Sequence, residues 1–147
     1  MSREILFKAK RKNWRELPKE EWWVEGYYLR ISPDDVVFVP FNASRGTKWG
    51  WIEIDPETRC QYTGKDDKGG NKIFEHDVIS ISTYDYHEPA ENYYGEVVYV
   101  EAWACWCIQQ PGEEKPIPLC ECEGSYLTEI TIEGNAIDNP ELLGGAE

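Results

Sequence analysis

Two C-x-C pairs of cysteines are the residues whose types and spacing come closest to a chemical site. They are Cys105 with Cys107 and Cys120 with Cys122. In a strand, residues i and i+2 point to one face, so two neighbouring strands could bring all four sulfurs together. Tetrahedral zinc accepts four thiolates, but its usual cysteine pairs are spaced more widely and lie on turns. Because free cysteine is also a common core residue, we expect reduced core thiols without metal, with a four-thiolate zinc site as the alternative.

The glycine-rich segment 63–72, TGKDDKGGNK, is a second candidate site. A phosphate-binding loop needs Lys and Ser or Thr where this chain has Gly70 and Asn71. An EF-hand loop counted from Asp66 would place Lys68 where an oxygen ligand is required. The segment therefore predicts a solvated, hairpin-like turn.

Histidines and carboxylates complete the candidate chemistry. The chain has two histidines, His76 and His87, and no nucleophile motif accompanies either. With 28 acidic residues, close carboxylate pairs are expected by chance. The sequence therefore predicts no catalytic residue and no cofactor.

Aromatic residues are abundant and could form a stacking platform for single-stranded nucleic acid. The candidates are Trp22, Trp23, Tyr27, Tyr28, Trp49 and Trp51. Such platforms normally lie in a basic groove, and tryptophans on alternating strands are more often core or interface residues. We therefore favour a core or oligomer-interface role, which leaves homo-oligomerisation open.

Charge argues against nucleic acid as a partner. The net charge is −13, although residues 1–19 hold seven bases and two acids. Binding to DNA relies on Lys and Arg that neutralise phosphates, and a field of this sign repels them. The basic segment is interpreted as a solvated patch. We expect no binding of duplex nucleic acid, and an acidic DNA mimic is an alternative function.

Cellular location is predicted from the absence of targeting signals and from cysteine usage. The segment after Met1 is charged and lacks an apolar signal region, and no apolar run approaches the ~20 residues of a membrane span. Five cysteines is an odd number, which is typical of reduced thiols. A cytoplasmic protein without membrane contact is predicted, and Asn42 of the N-A-S sequon is interpreted as a loop residue.

Short strands separated by turn signals dominate the chain. In residues 4–10, Ile5, Phe7 and Ala9 alternate with Leu6, Lys8 and Lys10, which predicts a half-buried strand. The segment 84–94 is predicted to be a long loop. Residues 139–143 predict one short helical turn. Further strands are predicted at 22–31, 36–41, 49–55, 78–83, 95–101, 102–110, 116–122 (an edge strand) and 126–134. Such a pattern is typical of a single mainly β domain, a small barrel or a sandwich.

Residues 57–79, ETRCQYTGKDDKGGNKIFEHDVI, resemble the signature of the YopX family of phage and prophage proteins. The opening REILFKAKRKN and the closing IEGNAIDNPELL are similar to the two ends of that pattern. The matching positions are Thr58, Gln61, Tyr62, Thr63, Gly64, Asp67, Lys68, Gly70, Ile73, Glu75 and Asp77. Lys65 and His76 depart from it, standing where a hydrophobic residue and Gly are usual, and so does Ala136.

The resemblance implies a mainly β fold, a small SH3-like β-barrel with additional strands and little helix, as one YopX-like domain over 1–147. It also implies a phage or prophage origin and no established activity. A structural role is expected for the central motif residues Gln61, Tyr62, Thr63, Gly64, Asp67, Gly70, Ile73, Glu75 and Asp77. The leading hypothesis is a non-enzymatic accessory protein that binds a host or phage protein; a DNA mimic and an unrecognised enzyme are the alternatives.

Overall fold

The structure is a computed structural model, and it describes five stretches of the chain. These are residues 6–30, 36–40, 52–84, 91–122 and 127–144. The chain forms two compact units, Met1–Gly64 and Lys65–Glu147. The expectation of one domain over 1–147 stays a prediction.

The first unit is built around an antiparallel sheet with strand order β4-β3-β2-β1-β5. The strands are β1 (Phe7–Lys10), β2 (Trp23–Arg30), β3 (Val36–Pro40), β4 (Ile52–Glu53) and β5 (Cys60–Asp66), which runs two residues into the second unit. Single turns of 3-10 helix occupy Trp14–Glu16, Lys19–Glu21 and Pro56–Thr58. A buried cluster of Ala9, Val24 and Ile54 holds this sheet.

Lys10 is the departure from the expected alternation in β1. Ala9 is fully buried, as its face predicts, but Lys10 on the opposite face is only 3% exposed. A half-buried strand would leave this lysine in water. Trp14 of the first 3-10 turn, Trp22 at the end of the second and Trp23 at the start of β2 surround its side chain.

The second unit contains an antiparallel sheet with strand order β10-β9-β8-β7-β11. Its elements are β6 (Lys72–Phe74), β7 (Asp77–Tyr84), β8 (Glu91–Val100), β9 (Cys105–Gln109), β10 (Ile117–Pro118), α1 (Leu119–Cys122) and β11 (Leu127–Asn135). Turns of 3-10 helix occupy Glu101–Trp103 and Pro140–Leu143. The core consists of Ile73, Ile79, Ile81, Val97, Ile108, Leu119 and Cys122.

Parts of the predicted strands and loops differ from their predicted form. Residues 101–104, predicted as strand, form the 3-10 turn Glu101–Trp103 and the residue Ala104 that ends it. The edge strand predicted over 116–122 is wrong beyond Pro118, because only two residues pair with β9 and the chain then turns into α1. Proline lacks the N–H that a ladder needs, and the turn buries Leu119 and Cys122 in the core. The loop predicted over 84–94 is also too long, since β8 begins at Glu91. Its tyrosines suit a strand.

The prediction of a mainly β fold with little helix is confirmed. Among the described strands, both sheets are antiparallel and open, and neither returns to its first strand to close a barrel. The helical turn predicted near 139–143 is present as 3-10 helix. In the described part of the chain, no helix has the length and apolar character to cross a membrane.

Candidate binding surface

Asp67 organises the turn between β5 and β6. Its Oδ1 accepts hydrogen bonds from the backbone N–H groups of Gly69 (2.9 Å) and Asn71 (2.8 Å), and its Oδ2 accepts one from Asn71 Nδ2 (3.2 Å). The bond from the Asn71 backbone is the main reason that the pKa of Asp67 is lowered. Gly70 has φ of +86°, which favours glycine. The turn is therefore held by the residues of the signature, as the glycine-rich segment predicts.

Asp77 performs the same task at the turn between β6 and β7. This side chain is 3% exposed, and its Oδ2 accepts the backbone N–H of Phe74 at 2.8 Å. Ile73, four residues earlier, is fully buried in the core of the second unit. Asp77 thus contributes to the turn, and Ile73 contributes to the core.

His76 stands in this turn with φ of +72°, a conformation that costs a residue with a Cβ atom roughly 1–2 kcal/mol. This explains why Gly is usual at the position. His76 Nδ1 lies 2.7 Å from Glu96 Oε2, and its Nε2 lies 3.9 Å from Glu75 Oε2. The hydrogen bond to Glu96 is the main cause that raises the pKa of His76, against an opposing effect of burial.

Of the remaining signature residues, Lys68 lies in the turn after β5, and the others lie in β5 or just before it. Thr58 Oγ1 accepts the backbone N–H of Lys10 at 2.8 Å and donates to the carbonyl of Asp55 at 2.7 Å. Gln61 pairs with Phe7 in the sheet, and the Tyr62 N–H donates to the carbonyl of Leu6 at 2.7 Å. Thr63 is buried, and Gly64 has φ of +87°.

The first C-x-C pair is brought together in β9. The Sγ atoms of Cys105 and Cys107 lie 3.8 Å apart. Burial raises the pKa of the Cys107 thiol to about 12, and the sulfurs of Cys105, Cys120 and Cys122 add to the effect. Such a thiol stays protonated at neutral pH and is a poor nucleophile.

The second C-x-C pair lies on α1, so the expectation of two cysteines on one face of a strand is wrong for this pair. Cys122 packs in the core of the second unit, whereas Cys120 is exposed. None of the five cysteines forms a disulfide bond in the structure. Within the described residues, no group of three or more His, Cys, Asp or Glu side chains is placed to hold a metal ion.

Three tryptophans of the first unit surround the ammonium group of Lys10. Lys10 Nζ lies 3.8 Å from the ring centroid of Trp14, 4.4 Å from that of Trp22 and 5.6 Å from that of Trp23. The rings of Trp14 and Trp22 meet edge to face at 4.8 Å. The Trp14 indole N–H also donates to Asp55 Oδ2 at 3.2 Å.

Further cations lie on the same rings. Arg15 is 4.4 Å from the centroid of Trp14, Lys19 is 5.7 Å from Trp22 and Lys8 is 4.8 Å from Trp23. Bases of the N-terminal segment therefore contact the tryptophans, although the sequence pattern does not indicate this contact. Since these rings already contact the chain's own cations, stacking of bases on them would require displacement of those cations.

The other platform candidates are less informative. Tyr27 is 49% exposed in β2. The side chain of Tyr28 and the residues Trp49, Trp51, His87 and Asn42 lie outside the part of the chain that the structure describes.

A third aromatic group lies at the connection between β8 and β9, and we call Tyr99, Trp103 and Trp106 the aromatic tip. Tyr99 is 44% and Trp103 49% exposed, and Tyr99 meets Trp106 edge to face at 5.0 Å. Tyr99 and Trp106 are direct cross-strand partners, and Trp106 also packs against the core. Sequence reasoning missed this surface. The sequence feature that could have indicated it is Trp103, which stands between two alanines where one strand ends and the next begins.

Comparison with known proteins identifies the family. No curated protein matches the sequence. The family model described as YopX protein matches residues 13–144, which is nearly the whole chain. The structural role expected of the signature residues stays a prediction. The chain belongs to the YopX family.

Proposed function

We propose that this protein is a phage- or prophage-encoded accessory protein that acts in the host cytoplasm by binding another protein, without catalysis. The observation that carries the proposal is the aromatic tip. Two large aromatic side chains there are nearly half exposed, on a surface held by sheet pairing and by the core. Tyrosine and tryptophan are enriched in protein interfaces and among the residues that dominate binding energy.

The non-enzymatic part of the proposal is supported by how the signature uses its polar groups. Asp67 and Asp77 accept backbone N–H groups within turns, which is a structural task. The bonds to the Asn71 backbone and side chain lower the pKa of Asp67, so this carboxylate is a poor proton donor near neutral pH. The buried, protonated Cys107 is likewise unsuited to nucleophilic attack.

We also propose that the second unit is the SH3-like part of the fold. An SH3-like barrel contains a four-strand meander, a short helical turn and a fifth strand that returns beside the first. In this unit β7, β8, β9 and β10 form a meander, α1 follows, and β11 lies beside β7. This strand order supports the proposal.

Capture of partners from a lysate of the host tests the function. Tagged wild-type protein is compared with the double variant Tyr99→Ser and Trp103→Ser, and bound proteins are identified by mass spectrometry. The matched control is Tyr27→Ser, which removes an equally exposed aromatic ring from the first unit. We expect the double variant alone to lose a specific partner while keeping the melting temperature of the wild type.

The result that would overturn the proposal is a partner profile unchanged by the double variant. A partner that binds nucleic acid, is lost at high salt and is retained by the double variant would favour the acidic DNA mimic, because salt screens exposed charge contacts.

A further inference from the structure

We infer that the aromatic tip recognises a cationic segment of its protein partner, one that presents Arg or Lys side chains. This inference rests on the proposed function, because it names the chemistry of the partner for the same surface. Two independent features of the second unit support it: the state of the ring faces and the charge around them.

The ring faces of the aromatic tip differ from those of the first unit. There, four cations lie over Trp14, Trp22 and Trp23. Among the described residues, no lysine or arginine lies over Tyr99, Trp103 or Trp106. The Tyr99–Trp106 contact is an edge contact with the ring planes at 71°. Aromatic faces attract cations through the ring quadrupole, so these exposed rings are open to a cation from a partner.

The charge around the tip has the complementary sign. The strand segments and the turn at this end of the sheet, residues 97–109, hold one glutamate, Glu101, and no lysine or arginine. Glu101 is exposed in the same 3-10 turn as Trp103. α1 follows β10 at the level of Cys107, which places the exposed Glu121 at the same end of the sheet. A cation at the tip would thus meet ring faces and carboxylates together, whereas an anionic partner would be repelled.

The tip is also preorganised. The N–H of Ala104 donates to the carbonyl of Glu101 at 3.1 Å, and Ala104 adopts φ of +52°, which closes the turn. Pairing of Tyr99 with Trp106 fixes the strands on either side. Little side-chain and loop ordering therefore remains to oppose binding.

Fluorescence anisotropy with defined peptides tests the inference. The probes are labelled peptides of nine residues in which Gly alternates with Arg, with Lys or with Gln. The variants are Trp103→Leu, which keeps apolar area but removes the ring, and Glu101→Gln. The controls are Tyr27→Ser, which removes an exposed ring elsewhere, and Glu57→Gln, which removes one exposed charge from the first unit.

We expect the Arg and Lys peptides to bind and the Gln peptide not to bind. Trp103→Leu should weaken binding about fivefold, because an exposed cation–π contact contributes up to about 1 kcal/mol. Glu101→Gln should weaken it by about threefold, more so at low salt than at high salt. Neither control should change the affinity, and unchanged melting temperatures would show that all variants fold.

Equal binding of the cationic peptides to every variant would overturn the inference, since it would reduce the effect to attraction by the net charge. Lysate capture separates this failure from failure of the proposed function. A partner lost with Trp103→Ser, retained by Trp103→Leu and not displaced by the Arg peptide would leave the protein-binding function standing and refute the cationic segment. Capture unchanged by the double variant Tyr99→Ser and Trp103→Ser would refute the function itself.

Discussion

Replacement of Lys10 by methionine should destabilise the first unit by about 1–2 kcal/mol. Lys10→Met keeps an apolar side chain among the rings of Trp14, Trp22 and Trp23 and removes only the ammonium group. Two indole rings lie within 4.4 Å of Nζ and a third at 5.6 Å. A cation–π contact contributes about 0.5–1 kcal/mol when exposed and about 2 kcal/mol when desolvated.

Two opposing effects decide the net value. Taking the two nearest rings at about 1–2 kcal/mol each gives an attraction of roughly 2–4 kcal/mol, and the third ring is near the ~6 Å limit. Burial of the ammonium, in a residue only 3% exposed, costs part of that gain, and the variant recovers this cost. The backbone bond from Lys10 to Thr58 is unaffected by the change. We therefore expect the rings to exceed the desolvation cost.

Urea unfolding followed by tryptophan fluorescence measures the effect, because three of the seven tryptophans lie around Lys10. The matched control is Lys19→Met, in which an exposed lysine lies 5.7 Å from one ring. We expect the control to change the free energy of unfolding by less than about 0.5 kcal/mol. The loss in Lys10→Met should persist at high salt, because buried interactions are weakly screened. A Lys10→Met variant as stable as the wild type would refute this reasoning.

Three further predictions concern the second unit. His76→Gln should lose less than about 1 kcal/mol, since the pair is partly exposed. Because the folded state raises the pKa of His76, the loss of free energy of unfolding should be full below pH ~6.5 and should vanish as the pH rises through the folded pKa. Urea unfolding at several pH values measures this dependence. Gly95→Ala should destabilise by at least about 1–3 kcal/mol in thermal unfolding, because its Cβ would collide with the carbonyl of Gln109. Protein purified without added metal should contain no zinc by elemental analysis and should melt identically with a chelator, as expected of reduced thiols that bind no metal.

Local signals made the strands and turns of this chain predictable. The 63–72 segment predicts its turn because Asp and Gly contribute their own hydrogen bonds and positive φ within five residues. Asn139-Pro140 predicts the 3-10 turn because the φ of proline suits the first position of a helical turn. The strand predicted over 78–83 is present as part of β7. None of these features depends on a distant partner.

Features that depend on distant partners were not predictable from one sequence. Lys10 lies in a strand of alternating apolar and polar residues. Its burial depends on Trp22, which is twelve residues away and packs over its side chain. The end of β10 at Pro118 was missed because it depends on the burial of Leu119, and the core that buries Leu119 is formed by the second sheet. The aromatic tip was missed because periodicity reports which residues share a face and not where a strand ends.

The signature and the proposed binding surface have different physical tasks. Asp67 and Asp77 use their carboxylates on backbone N–H groups, so the signature specifies how the chain turns. His76 illustrates the constraint, since a non-glycine residue at φ +72° is accompanied here by a 2.7 Å contact to Glu96. Trp103 lies outside these turns, in an exposed connection between two paired strands. Its side chain can change without disturbing either turn, so one scaffold is able to carry different partner specificities at this position.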